Sequence, residues 1–170
     1  GDSQAGLNAL ESGALDMAFG RVDLDVIEQV LARNPDLQFE QTPAGPGGIL
    51  YLRNTRAPLD NQTFREAVMH ALDNDTIAEH GIGRHCVATS QWVPEGVSGH
   101  VDGLDPFPYD PDKAKDLLEQ SGVTDASFEV MVGADQAAEQ RAAQIVQQNL
   151  GDVGISIEIT PVATAEAPVR

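Results

Sequence analysis

His80, His85 and Cys86 stand as H-x4-H-C, with His100 further along the chain. Imidazole and thiolate groups are the usual ligands of zinc. This spacing matches no standard structural zinc site, and Cys86 is the only cysteine. Surface or packing residues in a polar loop are therefore expected. Asp102, Asp105, Asp110 and Asp112 offer the oxygen ligands that calcium prefers, but they lack the Gly and Glu positions of an EF-hand loop. They are read instead as a solvated loop with a helix cap. No Gly-x-Ser-x-Gly element occurs, and neither Ser90 nor Ser98 has an evident base. Gly81-Ile82-Gly83 and Pro46-Gly47-Gly48 are too short for a phosphate loop, which needs a strand before it and a helix after it. Trp92 is the single tryptophan. An indole in a loop can cover a ligand or plug its own core, and the sequence favours neither. No catalytic residue, metal ligand or cofactor is expected.

Composition narrows the classes further. The 170 residues carry 27 acids, 10 bases and a formal net charge of -17. Lys113 and Lys115 are the only lysines. Such a chain lacks the clustered bases that neutralise phosphates, so no nucleic-acid partner is expected. The 41% apolar content is enough for a core. No apolar stretch approaches the ~20 residues of a membrane helix. One cysteine allows no internal disulfide and does not fix the compartment. The first twenty residues have no basic start, apolar region or cleavage site of the secretory kind. The chain reads as a domain excised from something longer.

The elements follow from hydrophobic spacing. Residues 4–12 form a short helix that stops at Gly13. Leu15, Met17 and Phe19 alternate with small and polar residues, which predicts a strand. Val26, Ile27, Val30 and Leu31 predict a helix over 24–33 that ends at Asn34-Pro35. Leu37 and Phe39 alternate again. Ile49 to Leu52 is a short apolar run, read as a buried strand. Phe64, Ala67, Val68, Ala71 and Leu72 fall at i, i+3, i+4, i+7 and i+8, the strongest helix, with Asp60 or Asn61 as its cap. A short helix follows near Asp75–His80. Residues 84–108 are a long irregular segment, and loops of that length are usually functional. Asp110-Pro111 starts a helix with Ala114, Leu117, Leu118 and Ser121 inward, and Gly122 stops it. Phe128, Val130 and Val132 predict a strand. Residues 136–150 predict a helix with Ala138, Ala142, Ile145, Val146 and Leu150 inward. Ile155, Ile157 and Ile159 predict the clearest strand. The alternation of helices and strands argues for an α/β fold with a helix-covered mixed sheet.

Four stretches, in order, resemble the extracytoplasmic solute-binding proteins of ABC transporters, family 5, the group with peptide- and nickel-binding members. Leu10-Glu-Ser-Gly-Ala-Leu-Asp16-Met-Ala is similar to the family's L-x-S-G-E-V-D-x-A, with Ala14 where Glu is usual. Leu52-Arg-Asn54-Thr-Arg-Ala-Pro58-Leu-Asp60-Asn-Gln-Thr-Phe-Arg65-Glu-Ala67-Val-Met-His-Ala71-Leu-Asp73 resembles its N-T-x-x-x-P-F-x-D-x-R-V-R-x-A-I-x-Y-A-I-D. Leu59 replaces the aromatic there. Tyr109-Asp110-Pro111-Asp112-Lys113-Ala114-Lys115-Asp116-Leu117-Leu118-Glu-Gln-Ser-Gly122 is similar to Y-D-P-E-K-A-K-x-L-L-x-E-A-G. Gln147-Gln148-Asn-Leu150-Gly-Asp-Val-Gly154-Ile155 fits Q-x-x-L-x-x-I-G-I. Each motif also has a packing role: Phe64, Ala67, Val68, Ala71 and Leu72 fill a helix face, Asp110, Pro111 and Gly122 set helix ends, and Arg65 and Asp73 suit surface or salt-bridge positions.

The resemblance implies one lobe of a type II periplasmic-binding-protein-like fold, with residues 1–162 as the second lobe of a two-lobed protein and 163–170 as a tail. It implies capture of a peptide or other small solute by cleft closure, handed to ABC permease subunits outside the cytoplasm. The first lobe and a lipid anchor would lie outside this segment, and the site for a peptide amine beyond Arg170. In layered α/β folds, ligands gather at the carboxyl ends of strands. That places Gly133, Ala134 and Asp135 at the cleft, with Ser90, Gln91 and Trp92 as a wall. Some dipeptide-binding members carry an Arg where Gly133 stands, so an anchor for a peptide carboxylate is not expected at that point. Two other functions remain open at this stage: the solute-sensing domain of a regulator or receptor, and a metal-dependent hydrolase built on His80, His85 and Cys86.

Overall fold

The computed structural model describes residues 3–18, 24–40, 49–83, 86–93 and 95–163. The chain divides into two compact units, Gly1–Pro43 and Ala44–Arg170.

Among the described residues the first unit holds two helices, α1 (Ser3–Glu11) and α2 (Leu24–Arg33). Leu7, Ile27 and Val30 are buried together, with Val26, Leu31 and Leu37 packed around them. Gly13 takes a left-handed φ of 73°, and the N–H of Ala14 bonds back to the carbonyl of Ala9 at 2.9 Å. This is how a helix closes on glycine. Glu11 joins the two helix ends, because its carboxylate accepts from Arg33 Nη2 at 3.2 Å and from Asn34 Nδ2 at 2.7 Å. The strand expected at Leu15 and Met17 is absent: residues 12–18 form turns and bends, and Met17 is 80% exposed. Phe19 lies outside the described residues. Leu37 and Phe39 also lie on non-strand backbone. Alternation marks only a potential strand. Without a partner ladder its N–H and C=O groups gain nothing from extension.

The second unit is built on helix α3 (Gln62–Ala71), the three-residue helix α4 (Asn74–Thr76), a π-helical turn (Ile77–Ile82) and helix α5 (Pro111–Ser121). Strand β1 (Ser127–Gly133), helix α6 (Ala137–Asp152) and strand β2 (Ser156–Val162) complete it. β1 and β2 pair in parallel, from Ser127 opposite Ser156 to Gly133 opposite Val162. A parallel pair needs a crossover, and α6 supplies it. Helices over a sheet are as expected. Among the described residues the sheet is this one parallel pair rather than a mixed one.

The core lies where α3, α5, α6 and the strands meet. Phe64, Val68, Leu150 and Ile155 are fully buried. Phe64 meets Phe128 edge-to-face at 6.2 Å. Asn61, rather than Asp60, caps α3: its side chain accepts from the N–H of Phe64 and donates to the carbonyl of Ser121 at 3.0 Å, tying α3 to the end of α5. Among the described residues Arg65 makes no ion pair and serves as a backbone clamp, donating to the carbonyls of Leu59 at 2.8 Å and Asp60 at 3.1 Å. Asp110 caps α5 through the N–H of Lys113, and Gly122 ends it in a left-handed φ of 67°. The expected strand at Ile49–Leu52 is non-strand backbone, with no ladder partner among the described residues. Leu50 and Leu52 pack on the core, while Tyr51 is 78% exposed.

Candidate functional site

The long segment 86–108 contains no helix or strand among its described residues, yet its side chains hold it together. Gln91 works as a clamp. Its Nε2 donates to the carbonyl of Val101 at 2.8 Å, and its Oε1 accepts the N–H of the same residue at 3.0 Å. One amide thus mimics a strand pair across the loop. Ser90 Oγ donates to the carbonyl of Leu104 at 3.0 Å. His100 Nδ1 lies 2.9 Å from the carbonyl of Val93. A carbonyl only accepts, so the proton sits on Nδ1. The C-terminal end of the loop is anchored through His70, which is buried, stacks edge-on against Phe107 at 5.7 Å and bonds through Nδ1 to the carbonyl of Pro108 at 2.8 Å.

Between this loop and the start of α4 lies an open depression of about 340 Å3. Ser90 and Gln91 line it, with Asp73, Asn74, Asp105 and Tyr109 among the others. The volume is at the small end of the range of ~300–1,000 Å3 typical of ligand sites. Its polar groups are mostly engaged already. Asp73 caps α4, accepting from the N–H of Thr76 at 3.1 Å and from its hydroxyl at 2.7 Å, and Asp105 accepts from the N–H of Phe107. Trp92 does not line the depression and is 66% exposed.

Gly133, Ala134 and Asp135 form the turn from β1 towards α6 and lie outside the depression's lining. Gln140 organises this turn, its Nε2 donating to the carbonyls of Gly133 at 3.0 Å and Ala134 at 2.9 Å. The carbonyl of Gly133 also accepts the N–H of Gln136, and the N–H of Ala134 donates to Val162. The backbone here is nearly saturated. A Cβ on Gly133 would fall 2.6 Å from Gln136 Cγ. Any larger residue at that position needs Gln136 to turn away.

The six residues singled out from the sequence therefore fall in three settings: Ser90 and Gln91 at the depression, Trp92 on the loop's exposed face, and Gly133 to Asp135 at the end of β1. Asp73, Asn74 and Tyr109 at the depression and Gln140 behind the turn were not foreseen. Nothing in hydrophobic spacing marks a glutamine whose role is to hold two carbonyls.

The described reactive candidates form no cluster. His80 and Cys86 are both exposed, and His85 lies outside the described residues. Among the described residues no three His, Cys, Asp or Glu side chains are grouped to hold a metal ion. No helix among them is long and apolar enough to cross a membrane.

Comparison with known proteins adds three findings. The profile of "Bacterial extracellular solute-binding proteins, family 5 Middle" matches residues 1–169. The glutathione-binding protein GsiB of Salmonella typhi is 27% identical over 132 residues, which is 77% of this chain and 26% of that protein. Its Escherichia coli K12 counterpart is 25% identical over the same span. The chain thus spans about a quarter of the length of the curated relatives it matches. Among solved structures, the ABC transporter substrate binding protein CtaP from Listeria monocytogenes superposes with a TM-score of 0.75 at 18% identity, over 96% of this chain and 34% of that one. NikA from Brucella suis gives 0.70 at 21% identity, over 96% and 36%. These two likenesses concern the fold, which is that of type II periplasmic binding proteins.

Proposed function

The chain belongs to the bacterial extracellular solute-binding proteins of family 5, and from that premise we propose that it is one lobe of a two-lobed receptor that captures a small solute outside the cytoplasm for an ABC importer. The solute class we favour is the oligopeptide. GsiB, by its name, binds glutathione, itself a peptide, and this supports the class. The observation that carries the proposal is the family match over residues 1–169. The site's chemistry agrees with it: the amide of Gln91, the hydroxyl of Ser90 and the carboxylates of Asp73 and Asp105 are each engaged with neighbouring protein groups, an arrangement that holds a shape.

In this proposal Ser90, Gln91 and Trp92 form one wall of the cleft, and Gly133, Ala134 and Asp135 the floor at the end of β1. Closure of two lobes about a hinge traps the solute, and the closed form is the one the permease recognises. Trp92 supplies a large apolar face with one N–H donor. A lipid anchor on the longer protein would keep the receptor at the membrane surface. Equilibrium dialysis of the full gene product against labelled di-, tri- and pentapeptides and glutathione tests the proposal. Retention of intact peptide at one per protein is expected. Absence of binding to every peptide, or release of cleaved product, refutes it.

A further inference from the structure

Val101 to Leu104 form a tight turn, closed by the N–H of Leu104 on the carbonyl of Val101 at 3.2 Å. Its two central residues are Asp102 and Gly103, the only Asp-Gly step in the sequence. Four features of this step act together. The Asp102 side chain is 99% exposed, and His100 Nε2 lies 3.7 Å from its Oδ1, beyond hydrogen-bonding range. Among the described residues, no hydrogen bond engages the N–H of Gly103. Gly103 has a φ of 72°, and the space where a Cβ would stand is open to beyond 4 Å. A glycine nitrogen is also the least hindered of backbone nucleophiles.

We propose that Asp102–Gly103 is a site of spontaneous isoaspartate formation. The nitrogen of Gly103 attacks Cγ of Asp102. A C–N bond forms, and the carboxyl C–O bond breaks. The hydroxyl leaves with the amide proton as water, closing a five-membered succinimide. Water then adds to one of its two carbonyls. Opening at Cγ restores aspartate. Opening at the α-carbonyl leaves the chain running through Cγ, one methylene longer. No oxidant, reductant or co-reactant other than water takes part.

The turn's location gives the change a consequence. Val101 is the residue that Gln91 grips through both backbone groups, and the Leu104 carbonyl is the acceptor for Ser90. An added methylene between these two anchor points moves one against the other. The loop then loses its clamp, next to Trp92.

The test is to age the purified chain for weeks at neutral pH and physiological temperature. Isoaspartate is read by methyltransferase labelling and placed by electron-transfer fragmentation, alongside the emission of Trp92. Isoaspartate is expected at Asp102 ahead of every other aspartate, with a proportional shift in Trp92 emission. Both signals are expected to be lost in Asp102→Glu, whose longer side chain does not close the five-membered ring. Because Asp102 points into solvent, that variant folds as the parent does, which circular dichroism checks. Accumulation first at Asp105, Asp110 or another site overturns the proposal. So does unchanged Asp102 after ageing, or an emission shift that persists in Asp102→Glu.

Discussion

Gln91 holds the long loop with one side chain, so a single substitution there releases it. Gln91→Ala removes both bonds to Val101. Each such bond contributes about 1 kcal/mol net, and the loop has no ladder to compensate. The expected outcome is local: acrylamide quenching of Trp92 rises, while the global denaturant midpoint moves little, because the core of Phe64, Val68, Leu150 and Ile155 is untouched. An unchanged quenching constant contradicts the clamp. Asp110→Ala tests the α5 cap, whose loss is expected to cost ~1 kcal/mol in urea unfolding. The sequence announced that cap plainly, since Asp-Pro ahead of an amphipathic run has a local cause. It did not announce Gln91 or Gln140. Their partners are backbone atoms up to thirteen residues away, reached only through a loop geometry that no spacing encodes.

At the scale of elements, the helices were legible and the strands only partly so. α2, α3, α5 and α6 carry their own signals in period, caps and stops. β1 and β2 were legible because each places apolar residues on the face turned to the core: Val130 and Val132 on one, Ile157 on the other. The patterns at Leu15–Met17 and Ile49–Leu52 were equally regular yet formed no strand, since pairing depends on what lies beside a segment and not on its own residues. The helix expected at Asp75–His80 becomes a short α-helix running into a π turn. Contact explains its position. Gly81 approaches α6 so closely that a Cβ would lie 2.7 Å from Ala142 Cα and 2.9 Å from its Cβ. Gly81→Ala should therefore force the π turn away from α6 and cost ~1–3 kcal/mol, seen as a lower calorimetric Tm. A neutral result means the two are not packed as described. Phe64→Ala, by contrast, empties a fully buried site and is expected to cost ~3–5 kcal/mol.

At the scale of the whole molecule, the charge of -17 sets the conditions under which this fold is most stable. Like charges repel in the compact state, and salt screens them, with a Debye length that falls to about 3 Å at ~1 M. Thermal unfolding should therefore shift upward as sodium chloride is raised from low ionic strength. A flat or falling Tm means the acids are locally compensated. The same charge disfavours polyanionic partners such as nucleic acid. The family was legible from four motifs that mostly define helix ends and packing. These residues fix the architecture; in the function proposed above, loop residues such as Ser90 and Gln91 select the solute.

The central claim is that the chain works by enclosing a solute jointly with a second lobe and does no chemistry on it. Calorimetric titration of the 170-residue chain and of the full gene product, side by side with the same peptide set and with mass analysis of the recovered peptide, tests it most directly. A stoichiometric isotherm for the full product, no sub-micromolar binding by the chain alone, and peptide recovered intact are expected. Tight binding by the chain alone, or peptide recovered cleaved, would contradict it.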